Sequence, residues 1–487
     1  MIAFVATAAA LALVVAPAPL GPAPNAAERG ARLADRMVAD LTADDALRHL
    51  DAFQAIADAS GGHRAAGTPG HDRSARYAAR VLAGAGLTVT FERFTFPYRE
   101  ALAESLALLP AEDGGAERAI PVHAMSYTGN TEAGGLTAPL VEVTAHGTGG
   151  AGCAAEDFAG RELAGRIALV ERGDCTFAAK QANAAAAGAA AVLVYNSEPG
   201  ELTGTLGDPD PAALPTGGIA REDGLALAAA LAERAAPTVR LDLRELVEER
   251  ETANVIAETP GGDPASTVVV GAHLDSVPDG PGINDNASGA AGVLAAALAL
   301  DAAGGTEEAA DPPHRVRFAL WSAEELGLRG ARHHVDQLSP AEREAIGLYL
   351  NFDMIGSPNH GLYVYDGADL DPRSAAVTED LSRLLDGGAG TARPVPFDGR
   401  SDYAPFLDAG IPVGGTFAGA EGRMTEEEAA LWGGTAGEPH DPCYHRACDT
   451  VANIDRAGLA AHTRALAGAV GRYAWHLPDR ADPPDQP

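Results

Sequence analysis

Val268-Val269-Val270-Gly271-Ala272-His273-Leu274-Asp275-Ser276-Val277 is the stretch that decides the fold. Three consecutive valines form a short apolar run of the kind that makes a strand buried on both faces of a sheet. The run stops at a histidine and an aspartate, and Gly282-Ile283-Asn284-Asp285-Asn286-Ala287-Ser288-Gly289 follows after a segment whose glycines and prolines disfavour regular structure. In open α/β sheets, ligands sit in the crevice beyond the carboxyl ends of the strands, which is where His273 falls. A single histidine after a strand is more often an ordinary loop residue than a ligand, so the reading rests on what accompanies it.

Two further stretches repeat the design. Arg315-Val316-Arg317-Phe318-Ala319-Leu320-Trp321 reads as a strand and runs into Ser322-Ala323-Glu324-Glu325-Leu326-Gly327. Leu348-Tyr349-Leu350-Asn351-Phe352 is another apolar run, followed by Asp353-Met354-Ile355-Gly356. Carboxylates at the ends of buried strands need a reason, because burying an unpaired anion is costly. A shared cation supplies one, and His, Asp and Glu together are a zinc ligand set. Glu324 and Glu325 would diverge on a strand or helix, but in a turn one can face a metal while the other faces water.

The runs GAHLDSV, GINDNASG, WSAEELGLRGA, LNFDMIG and DPCYHRACD, in that order, resemble the co-catalytic di-zinc aminopeptidases of clan MH, and among them the secreted bacterial leucyl aminopeptidases. The resemblance covers roughly residues 253–478. It implies an α/β zinc-exopeptidase fold, with a mixed, mostly parallel central sheet flanked by helices. It also implies two zinc ions per subunit, one held by His273 and Asp353, the other by Glu325 and His445, with Asp285 bridging. Glu324 would be the general base and Asp275 would orient His273. Tyr444, beside the metal, would donate a hydrogen bond to a developing oxyanion. Phe397-Asp398-Gly399-Arg400-Ser401-Asp402-Tyr403 resembles the loop lining the substrate pocket, with Arg400 on the substrate side and Asp402 behind a ligand histidine; a surface ion pair is the alternative for both. His440 competes with His445 for the ligand role, and the Cys-Tyr-His order closed by Cys448 favours His445. The implied activity is removal of N-terminal residues from peptides and proteins, with preference for large apolar residues such as Leu. The sequence leaves open a structural calcium ion beside the two zincs.

The chain has 487 residues and a formal net charge of -33, with 46% hydrophobic and 5% aromatic residues. That length suffices for two or three domains. So acidic a chain excludes nucleic acid or an anionic membrane surface as partner, since both need a basic face. Residues 1–26 read as a secretory signal: their apolar run is short of the roughly 20 residues a membrane span needs, although no Lys or Arg precedes Arg29. No other segment reads as a membrane span, so the processed chain is expected to be secreted; it is further expected to be a monomer. Four cysteines suit an exported protein with disulfides. The resemblance implies a Cys443–Cys448 bridge around His445, and Cys153 with Cys175 is the remaining pair.

Residues 27–118 read as the first part of the peptidase domain, with helices over 44–59 and 74–85, a strand over 87–94, and a solvated Gly/Pro-rich loop over 61–71 holding Arg64, His63 and His71. His333 and His334, after the Glu325 motif, are expected to be exposed. From 119 to 250 short strands alternate with turns and one Ala-rich helix over 177–187. There the run GRIALVERGDCTFAAKQANAAAAGAAAVLVYNS resembles a protease-associated (PA) domain, a small β-rich module inserted in secreted peptidases. Residues 251–478 complete the peptidase domain, ending in a helix over 457–475. The Pro- and Asp-rich 479–487 reads as a disordered tail.

Overall fold

The computed structural model describes residues 24–478, apart from residues 40, 111–115, 147–149, 208–209, 211, 234–236, 305 and 307–309. Residues 1–23 of the expected leader 1–26 and the expected tail lie outside the described residues, and the leader's last expected residue, Ala26, opens helix Ala26–Ala39. Two compact units divide the chain, one made of Met1–Glu92 with Ala253–Pro487 and the other of Arg93–Thr252. Two long strands, Thr88–Leu108 and Thr238–Glu258, carry the chain across that division.

The first unit is built on the sheet that the valine run announces. Four strands lie parallel side by side, in the order Val413–Phe417, Ile346–Phe352, Asp263–His273, His314–Trp321. The end of Thr238–Glu258 closes one side antiparallel to His314–Trp321, and Tyr363–Tyr365 with Arg393–Val395 extends the other. The sheet is therefore mixed and mostly parallel. Alternate side chains serve opposite faces, as the pleat requires: Val268, Val270, Phe318, Leu320, Leu348 and Leu350 enter one apolar cluster, while Val269, Ala319, Trp321 and Tyr349 enter another. Helices cover both faces. Ala26–Ala39, Ala43–Asp58, Gly289–Ala303 and Arg456–Trp475 contribute to the first cluster, and Arg329–Gln337 with Tyr403–Asp408 to the second.

Ile283–Ala303 corrects one expectation. By length and composition it is apolar enough to cross a membrane, yet most of it is buried within this unit. Its alanines and glycines bring it close to neighbouring backbone: a Cβ on Gly289 would lie 2.1 Å from the Phe352 carbonyl oxygen.

The second unit centres on strands Leu136–Val143, Ile167–Glu171, Ala191–Tyr195 and Thr216–Ile219, paired parallel in that order. It carries the expected Ala-rich helix, Phe177–Ala186, and a further helix, Arg221–Ala232, that sequence reading did not separate from its surroundings. Cys153 and Cys175 are disulfide-bonded with Cα atoms 5.8 Å apart. Lys180, the only lysine of the chain, is fully buried and donates from Nζ to the Ala151 carbonyl oxygen at 2.5 Å.

Two placements differ from expectation. Segment 61–71, read as a solvated loop, gives way to helix Pro69–Gly84 at its end and is not solvated: Arg64 is 0% exposed, because it packs under a second loop some 200 residues away in sequence, and His71, on that helix, is 1% exposed. His334, read as exposed, is buried beside Trp321 and Phe406, with Nδ1 3.1 Å from Glu92 Oε1. Strand Thr88–Leu108 also runs well past residue 94.

Candidate metal centre

Because the four central strands run parallel, their carboxyl ends share one edge. His273 is the last residue of its strand, Asp353 follows Phe352, and Glu324 and Glu325 follow Trp321 by a short turn. Asp285 arrives on the loop after the first strand, and His445 on the loop closed by the Cys443–Cys448 disulfide.

Five of these side chains converge. His273, Asp285 and Asp353 form one group and Asp285, Glu325 and His445 another, the ligand atoms of each lying within 4.8 Å of one another. Asp285 belongs to both: Oδ1 is 3.2 Å from His273 Nε2, and Oδ2 is 3.1 Å from His445 Nε2. Asp353 Oδ1 lies 3.3 Å from His273 Nε2, and Glu325 Oε2 3.0 Å from His445 Nε2.

The backbone is shaped to hold this arrangement. Ala323, Met354 and His445 adopt left-handed conformations, with φ of 59°, 50° and 56°, a region that costs a non-glycine residue about 1–2 kcal/mol. The Asp275 carboxylate accepts the backbone N–H of Glu324 at 3.2 Å and of Glu325 at 3.4 Å, so it fixes the turn that sends the two glutamates different ways. It also lies 3.7 Å from His273 Nδ1, which is nearer the Asp275 carbonyl oxygen at 3.2 Å. Ser401 donates to Asp353 Oδ2 at 2.6 Å. Asp449 accepts the N–H groups of Asn284 at 2.8 Å and Asp285 at 3.0 Å, tying the Asp285 loop to the end of the disulfide loop.

The electrostatics are those of crowded buried acids. Burial first, then Asp402, Glu325 and Asp353, pushes Glu324 well above the usual carboxylate range. Burial and Asp285 push Glu325 up to about 7. Burial works to lower the pKa of both histidines, but Asp353 and Glu324 outweigh it at His273, which is raised well above its ordinary value. Asp285 and Glu325 raise His445 to about 10. Two buried oxygens, Glu325 Oε1 and Asp353 Oδ1, have no hydrogen-bond partner among the described residues. A His/Asp/Glu donor set with unengaged buried lone pairs and a shared carboxylate fits a pair of zinc ions.

Tyr444 stacks on His445 with ring centroids 3.9 Å apart. Burial, with Asp285 and Glu325 nearby, raises its hydroxyl pKa, so it remains a donor. Arg400 lies at the mouth, paired to Glu421 at 2.8 Å and donating to the Tyr444 hydroxyl at 3.3 Å. Asp402 is 0% exposed, and neither carboxylate oxygen has a hydrogen-bond partner among the described residues, so it makes no bond to a histidine. His440 is otherwise engaged, with Nδ1 2.7 Å from the Asn359 carbonyl oxygen and Nε2 3.1 Å from the Tyr363 hydroxyl. Ser401 and Asp449 carried no assigned role in the sequence, although both stand inside quoted motifs. All five converging side chains line a cavity of about 840 Å³ whose other wall includes Met354, Tyr363, Tyr365, Val395 and Phe417.

A model of peptidase family M28 matches residues 254–470, and a PA-domain model matches residues 136–227. The aminopeptidase of Pseudomonas aeruginosa strain PAO1 is 40% identical over 451 residues, spanning 88% of this chain and 80% of its own length. Among solved structures, the aminopeptidase from Aneurinibacillus sp. strain AM-1 aligns with a TM-score of 0.70 at 26% identity, covering 92% of this chain and 97% of that one. The zinc aminopeptidase BSAP from Bacillus subtilis aligns with a TM-score of 0.64 at 28% identity, covering 88% and 94%.

Proposed function

Because the chain belongs to peptidase family M28 and carries a PA domain, we propose that it is a secreted aminopeptidase that works with two zinc ions and prefers large apolar N-terminal residues such as Leu. It is a metallo-aminopeptidase, a hydrolase of peptide bonds, and zinc is its metal. The observation that carries the two-ion reading is Asp285, whose two oxygens face two different histidines. His273 and Asp353 would hold one zinc and Glu325 and His445 the other, with Asp285 shared. Zinc bound there supplies Lewis acidity, polarising a peptide carbonyl and lowering the pKa of water toward neutrality.

The protein's own groups do the rest. Glu324 lines the cavity without belonging to either ligand group, and its raised pKa suits a residue that takes a proton from the attacking water and returns it to the leaving amine. The Tyr444 hydroxyl donates to the oxyanion that develops on the carbonyl. The carboxylates around the cage favour a free, positively charged α-amino group, which restricts cleavage to the first residue. Met354, Tyr363, Tyr365, Val395 and Phe417 offer an apolar wall to the side chain of that residue. Both disulfides support an oxidising compartment outside the cytosol.

Leucine p-nitroanilide, its N-blocked counterpart and a substrate cleavable only from the carboxyl end test this together. The expected result is hydrolysis of the first alone, lost to a zinc chelator and restored by zinc. Cleavage of the blocked substrate, or activity indifferent to chelation, would overturn it.

A further inference from the structure

Arg64 is fully buried in the first unit, and no carboxylate among the described residues lies within ion-pairing distance of it. An isolated buried guanidinium is expensive, and it persists only where other groups replace its water. Backbone oxygens do so here. Nε donates to the Pro281 carbonyl at 2.9 Å, Nη2 to the Gly282 carbonyl at 2.5 Å, and Nη1 to the Leu274 carbonyl. The Arg64 backbone N–H donates to Ser276 Oγ at 2.9 Å. The single Ser276 hydroxyl proton has two acceptors in reach within the same loop, the carbonyl oxygens of Val277 at 2.9 Å and Gly280 at 3.1 Å.

All three guanidinium acceptors belong to loop 274–282, which joins His273 and Asp275 to Asp285. One planar fork thus grips the two ends of that loop at once, which a lysine ammonium cannot do in the same geometry. Gly282 shows how tight the grip is: with φ of 61°, a Cβ there would lie 2.4 Å from both the Asp285 carbonyl oxygen and Ser276 Cβ, and 3.2 Å from Arg64 Nη2. Burial depresses the Arg64 pKa to about 10, partly offset by Asp275, Asp449, Asp285 and Glu325, so the group stays charged at neutral pH and faces the acids of the cage.

We propose that Arg64 is a positioning residue of the metal centre, setting through loop 274–282 where His273, Asp275 and Asp285 stand. It lies outside residues 254–470, the span matched by the peptidase model, and before the PA insertion. The centre therefore depends on a segment distant from its motifs. The inference rests on the two-zinc reading above, but makes its own prediction. A positive charge near a cation site, acting by field alone, weakens cation binding, so its removal would tighten zinc. A group that acts by holding ligands in place does the opposite.

Competition of the full chain with a chromophoric chelator for zinc separates the two. Arg64→Gln is expected to weaken zinc about 10- to 100-fold relative to wild type, the range for residues that support metal ligands. Arg64→Lys, which keeps charge and loses the fork, falls between. Ser276→Ala, a smaller cut in the same loop, shifts affinity the same way by less and serves if Arg64→Gln does not fold, as read by circular dichroism. Wild-type or tighter zinc binding in these folded variants overturns the proposal. A wild-type chain that takes up fewer than two zincs overturns the two-zinc reading instead, independently of the variant ratios.

Discussion

Glu324 and Glu325 are neighbours of identical chemistry, and the turn that carries them gives them different work. Ala323, in its left-handed conformation, and the Asp275 carboxylate on both N–H groups send Glu325 to His445 and leave Glu324 outside both ligand groups. Amide substitution keeps shape and removes charge, so it separates the roles. Glu324→Gln is expected to retain both zincs and lose about 10²- to 10⁴-fold in kcat. Glu325→Gln is expected to lose zinc at the site it shares with His445. Metal analysis and steady-state rates on the same preparations check this, and a Glu324→Gln enzyme of normal kcat would remove the proton shuttle. The ligand residues were legible because each stands directly after an apolar strand or inside a quoted loop. Arg64 was not, because its partners are 210 or more positions away and nothing near it in the chain marks them.

Elements were legible where one pattern dominates. The valine run, the Arg315–Trp321 run and the Leu348–Phe352 run are strands because β-branched and aromatic side chains fill both faces of the sheet. Segment 61–71 has the composition of a loop and is one only up to Thr68, where helix Pro69–Gly84 begins; composition does not report burial either, which for Arg64 is decided by packing against loop 274–282. The last helix, Arg456–Trp475, is apolar almost all round and lies in the core. It carries His462, which is fully buried between the Thr416 hydroxyl, 2.9 Å from Nδ1, and the Gly361 carbonyl, 3.0 Å from Nε2. Burial lowers its pKa to about 4, so it is neutral when folded and takes a proton near the ordinary histidine value of 6.5 when unfolded. The unfolded chain then binds more protons between those values, and stability falls as pH drops through that window. For this one group the loss from pH 7 to pH 5 is about 2 kcal/mol. Denaturant melts of wild type and His462→Gln at the two pH values are expected to show a shallower pH dependence in the variant, and equal slopes would exclude His462 as a source.

At the scale of the whole molecule, the candidate site belongs to one of two units, each with its own apolar clusters. The ends that an excision of residues 93–252 would leave already meet within the first unit, where Asn254 Nδ2 donates to Glu92 Oε2 at 2.8 Å. A chain with that segment replaced by a short glycine linker is expected to bind zinc and cleave leucine p-nitroanilide. Loss of zinc binding in a folded excision variant would assign the inserted unit a part in building the centre. The insertion itself was legible from one PA-like run, whereas its second helix, Arg221–Ala232, was not, because alanines and leucines on nearly every side give it no distinct polar face.

Lys180 leaves a practical mark on all such work. With the chain's single ε-amine sealed inside and bonded to a carbonyl, acylating reagents that couple other proteins to activated resins through surface lysines find no lysine to take on the folded chain.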